Sequence, residues 1–194
     1  MATEHKPVQF APIEATDEQL ARLVATDPAA LAELYERYLP RVSSYVRRKL
    51  RNPELEQDVV SQIFLKVIEG LQTRRIDHVR PWIFTIAHHT IVDVYRARPD
   101  AVSMESVPEP LDPSANPEDV AAALSDLHLI RSLFPHLTAS EQQVLDLRLF
   151  GLTNPEIADV LGRSYSWVGS TQHRAYKRLQ VLVRAHIERT GGRT

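Results

Sequence analysis

The chain has 194 residues, 43% of them hydrophobic and 25% charged, with a formal net charge of −2. That length suits one domain or two small ones, and the absence of cysteine excludes disulfides and thiolate metal sites and fits a reducing compartment. The N-terminus lacks the apolar stretch of a secretory signal and no run approaches membrane-spanning length, so the expectation is a cytoplasmic protein without membrane insertion.

Residues 1–15 are polar, carry Pro7 and Pro12 and show no periodicity, which predicts a disordered N-terminus. Thr16 and Gln19 are spaced as a capping box for a short helix to about Ala25. Asp27-Pro28 opens the next helix as N-cap and first helical residue. Leu31, Leu34, Tyr35, Tyr38, Val42, Tyr45 and Val46 then repeat at helical spacing, so Pro40 is expected to kink that helix rather than end it. A third helix is predicted over about 54–70, with Val59, Ile63, Val67 and either Val60 or Phe64 inward. A fourth starts near Pro81 and continues to about Arg98. Residues 99–117 hold five prolines and few large apolar residues, which predicts a linker. Asn116-Pro117 caps a further helix through Phe134. Thr138 and Glu141 form another capping box, for a helix over 139–150 with Gly151 beyond its end.

The segment from Leu152 to Leu182 reads as a short helix, a glycine turn and a longer basic helix. Thr153 and Glu156 have capping-box spacing, Pro155 sits in the first turn, where proline is tolerated, and Ile157, Ala158 and Leu161 make an inner stripe. Gly162 suits the left-handed backbone of a tight turn, and Ser164 or Ser166 can cap the second helix. In that helix Val168, Ala175, Leu179 and Leu182 share one side, with Arg174, Lys177 and Arg178 largely outside it. From Arg163 onward there are seven Lys/Arg and one acid, Glu188. This is a helix-turn-helix, whose second helix fits the DNA major groove. The competing reading is a solvated basic face on an ordinary helical hairpin. Cap, turn and charge together favour DNA.

No repeats and no alternating segments long enough for a sheet are found. The fold class is therefore all-α, an N-terminal helical bundle linked to a C-terminal helix-turn-helix domain. The boundaries are a disordered segment 1–15, a bundle 16–98, a linker 99–117 and the helix-turn-helix domain 118–190. Charge is segregated along the same lines. Residues 1–39 hold seven acids and three bases, 40–98 eleven bases and six acids, and 99–126 seven acids and no base. Two basic blocks around an acidic stretch suggest two nucleic-acid-facing modules on a tether.

Three pieces, in this order, resemble the extracytoplasmic-function sigma factors of bacterial RNA polymerase, members of the sigma-70 family. Gln57 to Val67 is similar to the family's core-polymerase-binding helix in region 2. Pro81-Trp82-Ile83-Phe84-Thr85-Ile86-Ala87-His88-His89, followed by Ile91 to Arg96, is similar to its promoter-melting segment. Leu137 to Leu179 is similar to region 4. The resemblance implies a non-enzymatic initiation factor with core RNA polymerase and promoter DNA as partners, and an anti-sigma factor as a further one. It implies that Asp58, Ser61, Gln62 and Leu65 meet core polymerase. Trp82, Thr85, His88, His89, Arg96 and Arg98 would lie at the minus-10 DNA, where unstacked bases and their phosphates must be held. Ser164, Ser166, Gly169, Ser170, His173, Arg174, Lys177 and Arg178 would face the minus-35 element, while Val168 is expected in the core. Phe84 is also expected in the core, and Trp82 serves either purpose. Arg47, Arg48, Lys49 and Arg51 read as a phosphate-facing patch or as solvated surface.

The chain departs from the family's pattern in two places. Gln57, Ser61 and Gln62 stand where Glu, Gln and Glu are frequent, leaving Asp58 as the main retained charge of the core-binding helix. A phosphate on Ser61 would restore nearly two negative charges. In the recognition helix, Gly169 and Thr171 replace two bases, which predicts weaker binding with a flatter salt dependence. Two other functions compete: a helix-turn-helix regulator, or a sigma-like decoy, that is not a polymerase subunit. A remote third is an acyltransferase, since His88-His89-Thr90-Ile91-Val92-Asp93 resembles an HHxxxDG motif with a histidine base. Val94 replaces its glycine, however, and the segment reads as helix. Adjacent histidines are also poorly placed for one metal ion, and no cofactor or metal is expected.

Overall fold

A computed structural model describes residues 15–50, 52–97, 129 and 132–191. The expected linker 99–117, the N-terminal segment to residue 14, and most of the helix expected to end at Phe134 lie outside the described residues. Among the described residues, the regular elements are helical.

Helix α1, Asp17–Leu23, begins at a Thr16–Gln19 capping box as expected, in which each partner satisfies a backbone N–H of the other. Helix α2, Pro28–Arg47, is capped by Asp27, which accepts the Ala29 N–H at 2.9 Å, and it runs through Pro40. Pro40 is exposed. Helix α3, Pro53–Thr73, is longer than expected at both ends, because Asn52 caps it and Pro53 supplies a preset first residue. It buries both Val60 and Phe64, so its apolar face is wider than a single stripe. Helix α4, Val79–Ala97, starts two residues before the expected Pro81. Proline within a first turn removes no intrahelical hydrogen bond, so it did not mark the boundary.

A 3₁₀ turn at Phe134–His136 leads to helix α5, Ala139–Leu149, opened by the Thr138–Glu141 capping box. Gly151 follows with φ of 84°. Helix α6, Asn154–Leu161, ends at Gly162, whose φ of 60° and ψ of 41° are left-handed. Helix α7, Tyr165–Gly191, follows. At its start Ser164 rather than Ser166 is the cap, accepting the Trp167 N–H at 3.2 Å.

The core does not divide where the sequence suggested a tether. One buried cluster runs from Leu20 on α1 through Tyr45, Ile63 and Phe84 to Leu147, Leu152, Ile157 and Val168. A smaller cluster joins Phe134, Leu137 and Leu145 to Ala175 on α7. The helix-turn-helix is thus docked on the N-terminal bundle through α6 against α4, with each large apolar side chain buried across that seam contributing about 1.5–3 kcal/mol.

Candidate functional site

Three surfaces carry the candidate residues. The first is on α3. Asp58, Ser61, Gln62 and Leu65 are all exposed and recur at the three- and four-residue spacing that places side chains on one helix face. Val59, Ile63 and Val67 point the other way, into the core. Leu65 is 67% exposed, an apolar side chain left outside a helix that had room to bury Phe64. Gln57 and Glu54 are also exposed, so Asp58 and Glu54 make the face acidic, with Asp58 as its central charge.

The second surface is on α4, whose turns alternate between core and solvent. Ile83, Phe84 and Ala87 are buried, which agrees with the core reading of Phe84. Trp82 is half-buried and lies against Gly70 of α3. A Cβ at Gly70 would come within 2.5 Å of the indole Cζ2, so glycine makes the slot for the ring. The Arg74 guanidinium lies over the same ring, 5.6 Å from its centroid. Sequence reasoning missed Arg74 and Arg75, both exposed. The signal was available as a basic pair in the α3–α4 connection beside an aromatic residue. The Thr85 hydroxyl donates to the Pro81 carbonyl at 2.8 Å and so is satisfied within the helix.

The two histidines part company, as their helical offset required. His89 is exposed. His88 lies 3.3 Å, through Nδ1, from the Tyr45 hydroxyl, and burial, with lesser effects from His89 and Lys49, pushes its pKa down to about 4. The structure therefore sets His88 inward as a neutral packing residue, apart from the solvent face that carries His89. Arg96 is exposed and 3.7 Å from Asp93. Arg98 lies outside the described residues. The segment is helical throughout, without the strand-and-loop setting an HHxxxDG base needs. Among the described residues no cluster of His, Asp or Glu is arranged to hold a metal, and no helix is long and apolar enough to cross a membrane.

The third surface is α7. Ser164, Ser166, Ser170, His173, Arg174, Lys177 and Arg178 are exposed, and Gly169 is half-exposed with open space where a side chain would be. Val168 is fully buried as expected. Thr171 is also fully buried, and its hydroxyl accepts from Arg174 Nη2 at 2.9 Å. Position 171 therefore faces the core, and the threonine there is not a lost phosphate contact, which corrects the expectation of two missing bases. Arg178 is 3.2 Å from Glu141, which is almost fully buried at the start of α5, so Arg178 has a structural partner while Lys177 has no ion pair among the described residues. Sequence reasoning also missed Arg163, over the Trp167 ring at 5.2 Å, and Tyr165, 61% exposed at the head of the helix.

Between the second and third surfaces lies the contact that docks the two halves. Phe150 meets Tyr45 edge-on at 5.7 Å and stacks on Phe84 at 5.1 Å. Asp146, 2% exposed, is 3.4 Å from Arg48 and forms a short ion pair with Lys49. Arg80 donates to the Gly151 carbonyl at 3.3 Å. Of the basic run, Arg47 is 3.1 Å from Glu56 and Arg48 and Lys49 face Asp146, so these three are ion-paired within the chain in this arrangement, while Arg51 lies outside the described residues.

The chain is similar to known proteins over most of its length. The sigma-70 region 2 model matches residues 34–99 and a sigma-70 region 4 model matches residues 127–179, together more than half of the chain. The chain is 32% identical over 151 residues to RNA polymerase sigma factor YlaC of Bacillus subtilis (strain 168), covering 75% of this chain and 87% of that one. It is 32% identical over 177 residues to ECF RNA polymerase sigma factor SigD of Mycobacterium tuberculosis (strain ATCC 25618 / H37Rv), covering 86% and 83%. The fold is also similar to that of CnrH, solved in complex with the cytosolic domain of CnrY, with a TM-score of 0.60 and 23% identity over 87% of this chain and 97% of that one. The chain belongs to the extracytoplasmic-function sigma factors of the sigma-70 family, the initiation subunits that direct RNA polymerase to promoters.

Proposed function

We propose that the chain divides the work of promoter capture between its two halves. Residues 16–98 dock on core polymerase through Asp58, Ser61, Gln62 and Leu65 and hold minus-10 DNA around Trp82, Thr85, His89 and Arg96. Residues 118–190 read the minus-35 element through Ser164, Ser166, Ser170, His173, Arg174 and Lys177, with residues 99–117 joining the two. The observation that carries this reading is the exposure of both faces at once: the α3 stripe around Leu65 and the basic face of α7 are each open to a partner. Phosphate contacts from Arg174 and Lys177 would supply affinity, and Ser170 and His173 would meet base edges.

An anti-sigma partner belongs to the same reading. CnrH was solved with the cytosolic domain of a second protein, and a protein covering the α3 face here would hide the polymerase-docking surface. The deciding experiment is run-off transcription with purified core polymerase on a genomic promoter library, comparing wild type with Leu65→Asp and Arg174→Ala. Leu65→Asp should abolish co-purification with core, and Arg174→Ala should leave it intact while weakening promoter use. Transcription by neither the wild type nor a Ser61→Asp form would refute the reading in favour of a decoy.

A further inference from the structure

Each of the chain's two tryptophans carries an arginine on its ring, Arg74 over Trp82 and Arg163 over Trp167. The second pair stands at the head of the recognition helix. Among the described residues the Arg163 guanidinium has the Trp167 ring as its partner, 5.2 Å from the centroid, and no ion pair.

Three features hold this pair in place. The Arg163 backbone N–H donates to the Ala158 carbonyl at 2.9 Å, the bond that closes a helix ending in a left-handed glycine, here Gly162. Ser164 accepts the Trp167 N–H. The indole is half-buried and packs against the main core. The Arg163 side chain is therefore exposed yet already placed. A guanidinium lying over a ring keeps its five N–H donors in its own plane, open to an oxyanion.

Position on α7 selects the oxyanion. Trp167 lies about 100° round the helix from Ser166, on the flank of the face formed by Ser166, Ser170 and His173, and Arg174 shares that flank two turns on. Ser166 and Ser170 are short side chains, which reach base edges only when the helix lies deep in the groove. Cations on the flank meet the phosphates bordering the groove, and phosphate contacts fix the register and orientation of such a helix.

We propose that Arg163 is a phosphate clamp at the lip of the minus-35 major groove and that Trp167 is its positioning residue. The inference rests on the proposed reading that α7 enters the minus-35 element. The ring restricts the arginine before DNA arrives, so less side-chain freedom is lost on binding.

The test uses holoenzyme assembled from core polymerase and the full chain. Its probes are a promoter fragment recovered by run-off transcription and the same fragment with the minus-35 element scrambled. Affinity is measured across a salt series. Arg163→Ala should weaken binding to the intact fragment about eightfold near 0.1 M salt and lower the salt slope by about one, the loss of one neutralised phosphate. Arg163→Lys should keep the slope but bind more weakly, having a point charge without the planar fork. Trp167→Leu should also keep the slope while weakening binding about threefold to tenfold, as Arg163 loses its platform. Trp167→Phe, which retains a ring, should fall between Trp167→Leu and wild type. In an Arg163→Ala background Trp167→Leu should weaken binding no further, a result that a merely structural tryptophan would not give. Thermal melts check each variant, and if Trp167→Leu does not fold, the same cycle with Trp167→Phe decides. A wild-type slope in Arg163→Ala would overturn the clamp, and additive losses from the two substitutions would overturn the positioning role. Wild-type holoenzyme that binds the scrambled fragment as tightly as the intact one would refute the minus-35 reading itself, and the clamp with it.

Discussion

Replacing Gly70 with alanine sets two opposing effects against each other. Gly70 lies inside α3, where exchanging glycine for alanine contributes about 0.5–1 kcal/mol by reducing the unfolded chain's freedom. Against this, the new methyl would sit 2.5 Å from Trp82 Cζ2 and 2.8 Å from Cη2, close to 1 Å inside normal contact. The indole must swing outward, away from α3 and from the Arg74 guanidinium. Overpacking of this kind costs about 1–3 kcal/mol, and losing the cation–π contact adds about 0.5–1 kcal/mol. The clash wins, with a net loss of about 1–3 kcal/mol, each kcal/mol lowering the melting temperature by about 2–4 °C for a chain of this length. Thermal melts measure the first effect, and tryptophan emission in a Trp167→Phe background measures the second, because Trp82 is then the single indole. Displacement should shift emission to the red and weaken opening of the minus-10 DNA. A Gly70→Ala protein that gained about 1 kcal/mol with unshifted emission would show that Trp82 does not rest on Gly70.

Acid should weaken the fold through His88. Its folded pKa of about 4 lies below the ordinary 6.5, so the unfolded chain binds the proton more readily. His88's contribution is complete above pH 6.5 and is lost as pH falls toward 4, amounting to about 2 kcal/mol after discounting for its partial exposure. Urea midpoints at pH 7.5 and 5 should therefore diverge more for wild type than for His88→Asn, and equal divergence would rule this out. At the turn between α6 and α7, Gly162→Ala should destabilise by about 1–2 kcal/mol through its left-handed backbone alone, since open space surrounds a Cβ there. Gly162→Asn should recover part of the loss in denaturant melts. On the recognition helix, Arg174→Ala and Lys177→Ala should each lower the salt slope of promoter-fragment binding by about one. Arg178→Ala should chiefly lower stability, because it strips the buried Glu141 of its cation; an unchanged melting curve would contradict that assignment.

Much of this protein was legible in local sequence chemistry. The capping boxes at Thr16, Thr138 and Thr153, the Asp27-Pro28 start and the left-handed Gly162 depend on hydrogen bonds and backbone preferences within a few residues, so spacing alone revealed them. Helical periodicity likewise separated Val59 and Ile63 from Asp58 and Leu65, because burial on one face is a property of the helix itself. The partners of Asp146, Trp82 and His88 were not legible in this way. Each meets a residue far along the chain, Lys49, Gly70 and Tyr45 respectively, and no local pattern encodes such a pairing. Composition marked residues 99–117 as a tether, which limits how far two bodies can move apart but says nothing about whether they touch. Only the tertiary structure decided that they do, because Phe150 finds its aromatic partners on α2 and α4, and Asp146 its cations at the end of α2, once the whole chain is assembled.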